Sequence, residues 1–66
     1  MYVVTTDTYG GRHYIMEQFP VRWTKELSRA ILYEFVAEIP PLENDFDYIV
    51  KVEHDENGIL RIVHEN

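Results

Sequence analysis

Apolar and polar positions change rhythm along the chain, from strand-like to helical and back. Residues 1–6 are mostly β-branched or aromatic, and Asp7, Thr8, Tyr9, Gly10 and Gly11 supply the flexible residues of a turn before residues 12–19 extend again. These two stretches predict a hairpin. Pro20 lacks an amide hydrogen and disfavours helical geometry at Phe19, so the second strand is expected to end there. Beyond it the spacing becomes helical: at 100° per residue, Leu27, Ile31, Leu32, Phe35, Val36 and Ile39 share an arc of about 180°. Thr24 is placed to cap this element, Glu26 sits at the positive end of its dipole, and Pro40 and Pro41 stop it. The pattern predicts a helix over 24–39.

A second hairpin is expected from strands over 46–54 and 59–64 around Asp55, Glu56, Asn57 and Gly58. Side-chain parity selects its register. A two-residue Asn57-Gly58 loop would set Glu53 against Ile62 and Asp55 against Leu60, mixing charges with apolar residues on one face. A three-residue loop with a left-handed Gly58 pairs Val52 with Ile62, His54 with Leu60 and Glu53 with Arg61, and this register is the one predicted. One face then carries Tyr48, Val50, Val52, Leu60 and Ile62 and packs on the helix. The other carries Ile49, Lys51, Glu53, Arg61, Val63 and Glu65 and is left uncovered.

The expected fold class is therefore α+β. One domain spanning residues 1–66 has β-β-α-β-β order: a mainly antiparallel four-stranded sheet, with strands over about 1–6, 12–19, 46–54 and 59–64, and one helix on one face. Such a chain buries only about 60% of the surface it exposes when unfolded, and without cysteine it has no disulfide to compensate. No apolar run approaches the roughly 20 residues of a membrane span, and no leader pattern precedes the first strand, so a cytoplasmic location is expected.

Charge is distributed unevenly. Twelve acids against six bases give −6. Residues 1–33 hold three acids and four bases, a net of 4 − 3 = +1, whereas residues 34–66 hold nine acids against Lys51 and Arg61, a net of 2 − 9 = −7. An acidic half repels phosphate backbones and steers encounter with basic protein surfaces.

Reactive chemistry is sparse. Ser28 is the only serine and falls in the apolar arc of the expected helix, and Gly10-Gly11 lacks the spacing of a phosphate loop. His54 and His64 share a face but are about 13 Å apart at 3.3 Å per residue, too far for one ion. The alternating oxygens of residues 43–47 lack the glycine and distal glutamate of a calcium loop. Catalysis, cofactors and a metal are therefore not expected.

Recognition by surface contact is what the composition favours. Nine aromatic residues exceed what so small a core hides. Tyr9 at the first hairpin tip and Tyr33 on the outer helix face are the expected anchors, with Glu43, Asp45, Asp47, Glu53, Asp55 and Glu56 supplying electrostatic contact. The expected function is a non-catalytic acidic protein that binds and inhibits or regulates a larger protein or complex with a basic surface. In general style only, and without a shared motif, such a chain resembles small phage-encoded inhibitors, some of which imitate DNA. The alternatives are a homodimeric structural or regulatory subunit and, against the charge balance, a nucleic-acid binder using Arg22, Lys25, Arg29 and Trp23.

Overall fold

The computed structural model describes residues 1–63. It contains five strands, β1 (Tyr2–Thr8), β2 (Gly11–Gln18), β3 (Val21–Thr24), β4 (Tyr48–His54) and β5 (Leu60–Ile62). They form one antiparallel sheet in the order β3-β2-β1-β4-β5. Among the described residues no helix is long and apolar enough to cross a membrane.

Local chemistry explains the turns. Thr8 pairs with Gly11, which leaves Tyr9 and Gly10 as a two-residue loop, and Gly11 takes a φ of 103° that a side chain would strain. Between β4 and β5 the pairs are Val52↔Ile62, Glu53↔Arg61 and His54↔Leu60, with Gly58 at a φ of 79°. This is the three-residue register expected from parity. Its outer partner His64, and the expected strand end with it, lies outside the described residues.

The helix expected over 24–39 is absent, and the α+β class and four-stranded sheet go with it. Instead of entering a helix after Pro20, the chain turns back at Phe19 and Pro20, whose peptide bond is cis, and Val21–Thr24 joins the sheet as a fifth strand. The remainder holds only two single 3₁₀ turns, Leu27–Arg29 and Val36–Glu38. Thr24 does accept an amide hydrogen, from Glu26 at 3.1 Å, but it closes a local turn rather than starting a helix.

Competition for backbone hydrogen bonds accounts for the difference. Met16 is an extra residue in β2, because Ile15 pairs with Trp23 and Glu17 with Arg22. Pairing of β1 with β2 stops at Thr5↔Tyr14, and residues 31–33 take up the groups left over. Ile31 N donates to Ile15 O at 2.9 Å, while Tyr2 and Tyr33 exchange two backbone bonds of 2.7 and 2.9 Å. These bonds hold the segment extended. Helical periodicity alone is a weak force when a sheet edge offers the same donors and acceptors.

Both sheet faces are used, unequally. On the first, Val3, Tyr14 and Val52 form the buried centre, with Val50, Leu60 and Ile62 beside them and Met1, Leu27 and Ala30 packed across. Leu27 and Ala30 thus cover the face assigned to the helix. Leu32, Phe35 and Val36, expected in the core arc, are exposed. On the second face Val4 and Ile15 are buried, whereas Ile49 and Lys51 are exposed.

Candidate functional site

The second face carries an apolar concavity. Strand alternation points Val4, Ile15 and Trp23 to one side of the sheet, Ile15 and Trp23 being direct partners. The chain after Ile39 passes over this side, and a groove of about 200 Å³ opens between Pro40–Asn44 and the β2–β3 hairpin. Its floor is Val4 (2% exposed) and Ile15 (5%), and its walls include Trp23, Val21, Leu42 and Phe19. Phe19, in the tight turn, is 92% exposed. Glu43 and Asp47 stand at the rim.

Trp23, Asn44 and Asp47 also line an adjoining polar recess of about 390 Å³, with Thr6, Thr8 and His13. Asp47 is held by a turn: its amide donates to Asn44 O at 3.1 Å, and Asn44 Nδ2 donates to its Oδ2 at 3.4 Å. His13 Nδ1 lies 3.0 Å from Gly11 O and 3.2 Å from Thr8 Oγ1. A carbonyl only accepts, so the imidazole carries a hydrogen on Nδ1, directed at Gly11 O.

The expected acidic residues fall into separate groups. Glu43, Asp45 and Asp47 belong to the chain leading into β4, and Asp55 and Glu56 follow its other end, about 26 Å away at 3.3 Å per residue. Glu53 is exposed within β4. Asp55 is spent on its own turn: Oδ1 accepts from Asn57 N at 2.8 Å and Ile59 N at 3.0 Å, and Oδ2 from Arg61 Nε at 2.7 Å. The Arg61 bond, followed by the Ile59 amide, lowers the Asp55 pKa. A lowered folded-state pKa means stability present above the unfolded carboxylate value of about 3.9 and lost as pH falls through the folded value. Asp55→Asn is therefore expected to be less stable than the parent at pH 7, with the gap closing at pH 2. Thermal melts at the two pH values check this; an equal gap at both would remove the charge from the explanation.

Tyr9 stands fully exposed at the first hairpin tip, where it was expected. Tyr33 has no outer helix face to occupy. Its backbone is paired with Tyr2, and its hydroxyl is buried without a partner; burial raises its pKa. The residues of the nucleic-acid alternative are also dispersed. Arg22 is ion-paired with Glu17 at 3.2 Å and Arg29 with Glu26 at 3.5 Å, while alternation sends Trp23 to the face opposite Arg22. Among the described residues no three metal-ligating side chains converge.

No family model, curated protein or solved structure matches this chain.

The site therefore rests on its own geometry. Sequence reasoning missed Phe19, Val21, Trp23 and Leu42 as groove residues and His13 and Asn44 as part of the recess. A signal was present: Val21 and Trp23 alternate with polar Arg22 and Thr24 directly after Phe19-Pro20, a strand pattern across a two-residue turn. The stronger helical spacing downstream masked it.

Proposed function

We propose that this protein is a non-catalytic binding module whose groove takes an apolar segment of a larger protein, with the acidic rim drawing the groove toward a basic surface. Phe19 carries the reading. A phenylalanine left almost wholly in water beside a buried apolar floor suits a contact completed by another molecule. Occupying a basic surface would block or regulate whatever else that surface binds, which is the inhibitory role proposed here.

A photoreactive phenylalanine analogue at position 19 tests this in cells that contain the partner. The expected result is a specific cross-linked protein. Once it is purified, Phe19→Ala should weaken its binding at least tenfold, and raising salt from 50 to 500 mM should weaken it further. Cross-links only to a second copy of this chain, with a concentration-dependent dimer in sedimentation, would replace the proposal by self-association.

A further inference from the structure

The geometry points to an arginine side chain of the partner as the occupant of the polar recess beside the groove. This rests on the groove reading and specifies its chemistry. The recess is lined by one carboxylate residue, Asp47, together with the neutral polar residues Thr6, Thr8 and Asn44, and with His13. No lysine or arginine lines it. Lys25 lies over Gly10 at the hairpin turn, beside the His13 ring but not among the residues that line the recess, and the four arginines of the chain are each paired with an acid elsewhere, Arg12 with Asp7, Arg22 with Glu17, Arg29 with Glu26 and Arg61 with Asp55. Within the hydrogen bonds described, the Asp47 side chain uses only Oδ2 and only toward a neutral amide, and among the described residues it has no ion pair.

Trp23 decides which cation fits. It lines both the apolar groove and the recess, as do Asn44 and Asp47, so a side chain reaching from one to the other runs between the indole and these polar groups. An arginine matches that sequence of surfaces: its aliphatic stem lies on the apolar side, and its planar guanidinium stacks on the ring and offers paired donors to a carboxylate. A lysine would bring the charge without the plane or the second parallel donor. Flanking apolar residues of the same segment would occupy the floor over Val4 and Ile15.

Selection of a random dodecapeptide display library on the immobilised full chain tests the assignment. The expected peptides carry an arginine beside aliphatic or aromatic residues, and a synthetic copy should change the emission of Trp23, the single tryptophan. Exchanging its arginine for the neutral isostere citrulline should weaken binding about tenfold. Asp47→Asn should weaken the arginine peptide by the same factor and leave the citrulline peptide unchanged, the coupling that marks a direct pair. Selected peptides without arginine, or equal weakening of both peptides by Asp47→Asn, would overturn the arginine assignment and leave the groove standing. Enrichment no greater than on bare support would overturn both.

Discussion

Val52→Ala is expected to lower the melting temperature by about 10–20 °C. Val52 is fully buried in the cluster with Val3 and Tyr14, and its pairing with Ile62 joins β5 to that cluster. Removing two methyl groups forfeits about 1.6 kcal/mol of transfer free energy, and the space left behind raises the loss to about 2–3 kcal/mol. A chain of this length holds roughly 3–10 kcal/mol in total, so the change consumes a large share. At about 4–8 °C per kcal/mol for a small domain, the shift is easily read by circular dichroism. Ile59→Ala is the control: Ile59 is 58% exposed, and its truncation should cost less than about 0.5 kcal/mol. If both variants melt alike, the core is not where the sheet puts it.

Thr5→Val should act in the opposite direction, raising the melting temperature by about 5–10 °C. Thr5 lies in β1 between Tyr14 of β2 and Tyr48 of β4, fully buried, and its hydroxyl has no hydrogen-bond partner. An unpaired buried hydroxyl costs about 1–3 kcal/mol, and valine fills nearly the same volume without it. β-Branching is kept, so the strand backbone is not disturbed. Thermal melts and urea titrations of the variant against the parent measure the gain; a lower midpoint would mean that the hydroxyl is bonded in solution.

Both predictions concern positions where the sequence and the fold agree on a strand, and the contrast with residues 24–39 is instructive. In β4 and β5, parity fixes which side chains share a face, and a wrong register would place Glu53 and Asp55 among the apolar residues. That penalty is local, and it can be read without knowing what lies opposite. Leu27, Ile31, Leu32, Phe35, Val36 and Ile39 offer no such penalty. Their helical spacing is compatible with burial only if an apolar surface waits for the whole arc, and in the folded chain only Leu27, with Ala30, packs against the central cluster.

The candidate site shows the same division. Glu43, Asp45 and Asp47 were legible as an acidic stretch, and Tyr9 as an exposed residue at a turn. Phe19 and Trp23 were not, because their roles depend on β3 pairing with β2 and on Pro40–Asn44 crossing the sheet, contacts that no single segment specifies. Asp55 was expected to supply electrostatic contact to a partner, because nothing in its neighbourhood requires that Arg61 return to it across the turn.

What the residues determined by themselves were four of the five strand-forming stretches, the glycine-bearing turns, the register of the last hairpin and the acidic second half, since each follows from neighbours within a few positions. The tertiary structure alone decided that residues 31–33 serve the sheet instead of a helix, because backbone groups left over at the end of the β1–β2 pairing outbid a periodicity with no matching surface. It also decided that the aromatic side chains around Trp23 meet the acids near Asp47, a juxtaposition that arises only when distant segments are folded against one face.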